Sequence, residues 1–150
     1  MDSKFLELAY KTKRYFDVID FTDKAKEFVK KSEIKNGLLH IQLLHTSCAL
    51  IFNENEPLLL KDIEKTLNSQ APLDAKYNHD NLEIRTVNVC DNECRNGHSH
   101  CKAIRLLPFI TICIKNGELV LGQWQRTMLV ELDSSRDRKI LMQIISKKKK

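Results

Sequence analysis

Glycine and proline are scarce in this chain. Of 150 residues only four are glycine and three are proline, so there is little slack for long flexible joints. No internal repeat and no Pro/Gly linker divides it. The length suits one hydrophobic core and is short for two, which predicts a single domain over residues 1–150. Long apolar runs are missing as well: none reaches the ~18 residues that a membrane helix needs. The opening Met1-Asp2-Ser3-Lys4-Phe5-Leu6-Glu7 lacks the apolar stretch of a secretory signal. Cysteines number five, at 48, 90, 94, 101 and 113. An odd count without a signal fits reduced thiols in a cytoplasmic protein, with no membrane partner. A Gly-rich phosphate loop, a nucleophile elbow and a dinucleotide fingerprint are all absent.

A basic folded surface is also lacking. The net charge is +5, but Lys147, Lys148, Lys149 and Lys150 supply four of those charges, leaving 21 basic against 20 acidic residues. Such a run reads as a flexible, self-repelling tail over residues 147–150. It would bind phosphates weakly and without sequence preference, which argues against a nucleic-acid partner. At 42% hydrophobic and 30% charged residues, the remainder has the composition of an ordinary globular protein.

Periodicity assigns the elements. Lys4–Thr12 and Arg14–Asp20 alternate enough to be strands. Thr22 is placed to cap a helix over Asp23–Ser32, whose Ala25, Phe28 and Val29 lie at helical spacing. Leu38–Leu44 and Ser47–Asn53 read as buried or half-buried strands. Pro57 suits the first position of a second helix with Leu58, Leu59, Ile63 and Leu67 as its apolar stripe. Ala71–Arg95 is polar and irregular, with strand-like pieces such as Leu82–Val89. Ser99–Leu107 reads as a third helix. Phe109–Lys115, Asn116-Gly117 and Glu118–Gly122 form a hairpin, because Asn-Gly supplies the two positive-φ positions of a type I′ turn. Thr127–Asp133 and Lys139–Ile145 are further strands. Strands cluster at both ends of the chain, which predicts an α+β fold of mostly antiparallel sheets with about three helices.

Five segments can carry chemistry. His98-Ser99-His100 follows Asn96-Gly97 at a loop-to-helix junction. Imidazoles there serve as metal ligands, as a general base, or simply as polar helix-capping residues. His45-Thr46-Ser47 ends an apolar strand, either at a cleft rim or as a satisfied edge histidine. A Ser47/His45 hydrolase is weakly supported, since strand neighbours point apart. Asn53-Glu54-Asn55-Glu56 precedes a helix and fits both capping and ligand-orienting roles. Gly122 before Trp124 suggests either an aromatic cleft wall or core packing, and Glu131 and Asp133 share a strand face near Arg136. Cys90-x3-Cys94-x3-His98 resembles a loose zinc list but matches no standard finger spacing. Cys48 and Cys113 read as small core residues.

Taken together, these segments resemble the YjbQ-like family of small proteins of poorly settled function. The matching pieces are His45-Thr46-Ser47-x-Ala49-Leu50, Asn53-Glu54-Asn55-Glu56-Pro57 with Asp62, Tyr77-x-His79-Asp80, Asn96-Gly97-His98-Ser99-His100-x-Lys102-Ala103, Asn116-Gly117-x-Leu119-x-Leu121-Gly122-x-Trp124-Gln125 and Glu131-x-Asp133-x-x-Arg136. Gln123 stands where the family usually has Thr, and Ser134-Ser135 where it often has Gly-Pro. The resemblance implies a homotrimer and a cleft lined by His45, His79 and His100, with His98 a less certain fourth, where a divalent metal such as zinc or an anion binds. It adds His79 to the candidates. It also implies a weak thiamine-phosphate synthase activity, joining a pyrimidine diphosphate to a thiazole phosphate.

The expectation is therefore a histidine-centred, metal-dependent transferase acting on a small phosphorylated substrate. His45, His79, His100 and Glu131 are its candidate catalytic residues. Thr46, Ser47, Asn53, Asn55, Asn96, Trp124 and Arg136 are its candidate substrate contacts. Lys102, Arg105 and Arg126 join Arg136 as candidate phosphate-neutralising groups. The alternatives are a metal- or small-molecule-binding protein without turnover, and a structural zinc domain or nucleic-acid accessory.

Overall fold

The computed structural model describes residues 2–147, so the last three lysines of the expected tail lie outside it. In chain order it contains β1 (Asp2–Lys11), β2 (Val18–Asp20), α1 (Thr22–Ser32), β3 (Gly37–Leu43), β4 (Cys48–Asn53), α2 (Pro57–Gln70), a 3-10 turn (Asn78–Asp80), α3 (Gly97–Ala103), β5 (Phe109–Lys115), β6 (Glu118–Leu119), β7 (Arg126–Glu131) and β8 (Asp137–Ser146). All strand pairs are antiparallel. They form a five-stranded sheet ordered β1-β8-β3-β5-β6 and a three-stranded sheet ordered β2-β7-β4. The fold is α+β with three helices, as the pattern predicts.

Binary patterning explains the layers. β5 alternates strictly between exposed and buried, so Ile110, Ile112 and Ile114 enter the core. They pack with Leu39, Ile41, Met142 and Ile144 of the large sheet, with Leu50 and Leu129 of the small sheet, and with Phe21, Ala25 and Val29 of the α1 region. The other face of the small sheet, through Ala49, Ile51, Met128 and Val130, meets Leu60, Ile63 and Leu67 of α2 and Ala103 of α3. β7 is covered on both faces, which is why its sequence reads as a continuous apolar run rather than an alternating one.

Several local expectations change. Arg14–Phe16 turns instead of extending, with Phe16 at φ 53°, so β2 keeps only three residues. Thr22 does not cap α1; its hydroxyl accepts the Thr127 backbone N–H at 2.8 Å and ties the helix start to β7. Leu82–Val89 forms turns rather than a strand. The third helix starts and stops earlier than Ser99–Leu107. Beyond it, Leu107 pairs with Leu50 of β4, a bridge that a continuing helix would forbid. Cys48 is core, but Cys113 sits on the outer face of β5 and is exposed. α2 begins at Pro57 as expected, and the Glu56 carboxylate caps it by accepting the N–H groups of Leu58 and Leu59.

Candidate functional site

α3 is short and polar, and its position depends on one carboxylate. Asp80 Oδ1 accepts the N–H groups of Asn96 at 2.9 Å and Gly97 at 2.8 Å. These are donors that a helix start otherwise leaves free. The helix lies so close to the loop before it that a Cβ on Gly97 would stand 2.5 Å from Tyr77 Cβ. This close approach brings His79 of the 3-10 turn against His100 of α3. Their ring centroids are 4.7 Å apart, edge to face.

The two imidazoles differ in their surroundings. Burial together with neighbouring His79 holds the His100 pKa below the ordinary histidine value, against the opposing pull of the Thr46 backbone. His100 is therefore mainly neutral near pH 7. His79 is held through its backbone: Arg85 Nη1 donates to His79 O at 3.2 Å. The same guanidinium reaches Asn88 O at 2.6 Å and Glu93 Oε1 at 3.3 Å, tying the irregular loop into one piece. His79 Nε2 is buried and has no hydrogen-bond partner, and neither has Asn96 Oδ1. The Asn96 amide cannot simply be turned over. Its Nδ2 donates to Asp133 Oδ2 at 3.3 Å, and a flip would set oxygen against oxygen.

The remaining predicted residues divide into separate sets. His45 Nε2 accepts the Lys139 backbone N–H at 2.8 Å, which places the His45 proton on Nδ1. Burial lowers its pKa, with Arg138 adding to the effect. His98 Nδ1 lies 3.4 Å from Nζ of Lys102. Lys102 is fully buried, its pKa lowered by burial to about 8, with the Tyr15 ring 5.1 Å away. The ammonium donates, so the His98 proton sits on Nε2. A metal at either of these ring acceptors would first have to break the bond already made.

Glu131, expected as a catalytic carboxylate, is fully buried. It is bound by Arg138 at 2.6 and 2.7 Å, by the Thr12 hydroxyl at 2.8 Å and by the Asp133 N–H at 2.9 Å. Ser47 Oγ joins the same network, accepting from Arg138 Nη2 at 3.0 Å. These groups set the backbone under the site. Arg136 faces it more directly: its guanidinium holds Asp133 at 2.7 Å and approaches Cys94 Sγ at 2.7 Å while staying part-exposed. Burial, and then Asp133, raise the Cys94 pKa.

Asn53, Asn55 and Trp124 do not join the histidines within the chain. Asn53 opposes Arg126 at one end of the small sheet, whereas Cys48 opposes Glu131 at the other. Asn55 Nδ2 donates instead to Asp20 Oδ2 at 3.1 Å, and Trp124 is 64% exposed. Arg126 pairs with Asp20 at that same far end, and Lys102 is internal. Of the proposed phosphate-neutralising groups, Arg126 is therefore away from the histidines, and Lys102 is buried against His98 rather than open to a ligand. The cations that are nearer belong to Arg136 and to a cleft of about 700 Å³ along the loop, where Lys76 and Arg95 stand among Asp74, Tyr77, Asp80 and Glu83.

A family pattern described as UPF0047 protein, YjbQ-like, matches residues 6–147. The chain belongs to this family. A UPF0047 protein of Methanothermobacter thermautotrophicus is 36% identical over 141 residues, covering 94% of this chain and 91% of that protein. One from Archaeoglobus fulgidus is 31% identical over 140 residues, covering 93% and 100%. Among solved structures, a YjbQ-like protein of unknown function from Sulfolobus solfataricus superposes with a TM-score of 0.86 at 30% identity, covering 97% of this chain and 99% of that one. A YjbQ/UPF0047 protein from Clostridium acetobutylicum gives 0.80 at 31% identity, covering 93% and 99%. YjbQ-like membership establishes the fold, and the chemistry has to be argued from the side chains.

One anchor of the site escaped sequence reasoning. Arg85 lies in a polar loop with no local signal. Cys94 reads in the sequence as part of a loose zinc list, whereas it lies against Arg136 and Asp133. Asp80 and Asp133 were visible as motif letters, but their roles in seating α3 were not. Among the described residues no group of three or more His, Cys, Asp or Glu side chains is placed to hold a metal ion. The His79–His100 pair suits an imidazole-seeking metal, but it supplies two ligands where a catalytic zinc takes three. The three-histidine centre expected of His45, His79 and His100 is not assembled within one chain, and neither His98 nor Cys90 and Cys94 complete it.

Proposed function

We propose that the His79–His100 pair is the reaction centre of an enzyme acting on a small phosphorylated molecule. The observation that carries this is that His79 Nε2 and Asn96 Oδ1 are both buried without a hydrogen-bond partner. Burying such groups unsatisfied costs about 1–3 kcal/mol each, a cost that a bound ligand removes. His100, largely neutral, is suited to take a proton from a ligand. Arg136, Lys76 and Arg95 supply positive charge for phosphate oxygens, with Arg the better fork. Glu131 acts through Arg138 and the backbone rather than on the substrate.

A divalent metal, zinc first, is the cofactor we propose for the pair, its further ligands coming from water, substrate or a neighbouring subunit. When bound it would polarise a phosphoryl oxygen. A homotrimer is the proposed assembly and the cytoplasm the proposed location, in keeping with five free cysteines. Joining a pyrimidine diphosphate to a thiazole phosphate is the proposed, weak reaction.

Binding without turnover is the second reading, favoured by the engagement of the Asp80 and Asp133 carboxylates with the Asn96 and Gly97 N–H groups and with Arg136. The experiment measures zinc content and diphosphate release with both thiamine precursors in wild type, His79→Ala, His100→Ala and Cys90→Ser/Cys94→Ser. Loss of both signals in the histidine variants alone supports an enzyme. Loss of zinc with no release in any protein supports the binder. Equal release by wild type and His100→Ala sinks the histidine mechanism.

A further inference from the structure

His98 and His100 belong to one seven-residue helix but face different ways. Two positions along a helix turn the side chain through about 200°. His100 lies against His79, with ring centroids 4.7 Å apart. His98 lies against Tyr15, at 6.0 Å. Lys102, four residues on, shares the His98 side of α3 and sets its Nζ 3.4 Å from His98 Nδ1.

Two unfavourable features meet in this cluster. Lys102 is fully buried, yet it forms no ion pair with a carboxylate among the described residues; its neighbours are His98 Nδ1 and the Tyr15 ring face, 5.1 Å away. Tyr15 reaches it from a turn in which buried Phe16 takes φ 53°, a left-handed conformation that a bulky residue rarely adopts. The Tyr15 hydroxyl is fixed on Asn68 of α2 at 2.6 Å. A methionine would fill the place of Lys102 with no charge to bury. Backbone strain and an unpaired buried charge are retained where function requires them.

The chemistry of the contact says what it does. An ammonium carries three donors and no acceptor. Facing His98 Nδ1 it can only donate, so the His98 proton stays on Nε2 and both ring nitrogens are occupied. A metal-binding histidine needs the reverse: one nitrogen goes to the metal and the other donates its N–H to an acceptor. Metal at His98 Nε2 would turn an Nδ1 proton against the Lys102 ammonium, and metal at Nδ1 would have to displace that ammonium. Other ligand types stand close by. Cys94 Sγ lies 3.8 Å from Asp133 Oδ1, and the charge of Asp133 reaches the His98 ring. An open imidazole there would complete a nitrogen, sulfur and oxygen set suited to zinc.

We infer that Lys102 is a specificity-determining residue: it closes His98 to metal ions, so that His100, with His79, is the imidazole of α3 that takes a ligand. This rests on the reading of the His79–His100 pair as the ligand site. Removing Lys102 should then create a competing zinc site at His98 and Cys94.

Wild type, Lys102→Met and Lys102→Met/Cys94→Ser are compared as full chains, with zinc alone as the probe. Bound zinc per chain is measured after dialysis, histidine ring states by nitrogen NMR, and folding by urea unfolding. Wild-type His98 is expected to carry its proton on Nε2 and to stay unmoved by zinc. Lys102→Met should keep or raise the unfolding midpoint, because a buried charge is gone. Its His98 should divide between tautomers, shift with zinc and bind a further ion per chain, and Cys94→Ser should remove that gain. A wild-type His98 with its proton on Nδ1 overturns the inference whether or not any variant folds. So does a Lys102→Met protein that loses stability while its zinc binding and its His98 stay as in wild type. Zinc that moves His98 in Lys102→Met but neither His79 nor His100 in wild type instead overturns the ligand reading and leaves the role of Lys102 standing.

Discussion

Asp80 spends one oxygen on two backbone donors, and the site depends on that economy. Removing the carboxylate leaves the Asn96 and Gly97 N–H groups without their partner, at about 1–3 kcal/mol for each buried donor left unsatisfied. Asp80→Ala should therefore lose roughly 2 kcal/mol or more in urea unfolding, and Asp80→Asn, which keeps an acceptor, clearly less. Equal losses would mean that charge rather than bonding seats the helix. Arg138 and Glu131 follow a different logic. Both are buried and tightly paired, so changing Arg138 alone strands a buried carboxylate. Arg138→Met is expected to cost about 3–5 kcal/mol by the same measurement. A cost below 1 kcal/mol would show that the carboxylate readily protonates or finds water.

Elements were readable in the sequence where burial is one-sided. β5 with its alternating isoleucines, the Asn116-Gly117 turn and Pro57 at the start of α2 each carry a local cause. Asn116 and Gly117 do take positive φ, 56° and 86°. Legibility fails where a distant partner decides. Leu82–Val89 has the composition of a strand, but Arg85 draws it into turns and Asn88 takes φ 54°. α3 starts at Gly97 because Asp80, 17 residues earlier in the chain, reaches Gly97 N. His79 came from a family pattern and not from its polar surroundings, and only the folded loop sets it beside His100. The seating of α3 allows no methyl group at its start. Gly97→Ala must push Tyr77 away by several tenths of an ångström or more. It should destabilise the chain by about 1–3 kcal/mol and separate the His79 and His100 rings, seen as loss of nuclear Overhauser contacts between them. Retention of those contacts at wild-type stability would show that the loop gives way freely.

At the scale of the molecule, three histidines share one titration behaviour. Burial is the largest cause lowering the pKa of His45, His98 and His100. The unfolded chain therefore binds protons before the native chain does. Their stabilising contribution is complete above the unfolded value of about 6.5 and is lost as pH falls through the lower native values. Thermal midpoints should be flat just above pH 7 and fall as pH drops below about 6.5. Lys102, lowered from 10.5 to about 8, has the same sign at higher pH, so its charged form weakens the fold as pH drops through that range. A midpoint unchanged from pH 7 to 5 would contradict the burial of these rings.

The central claim is that ligands enter at His79 and His100 and not at the chain's other histidines. Imidazole nitrogen NMR of uniformly labelled protein resolves all five rings, with His40, bonded to Thr111 at 3.0 Å on the outer sheet face, as an internal control. The protein is titrated with zinc and, separately, with inorganic pyrophosphate. The account predicts that His79 and His100 shift first and together while His40 stays still and His45 keeps its Nδ1 proton. Shifts confined to His45 or His98, or none in any ring with both probes, would contradict it.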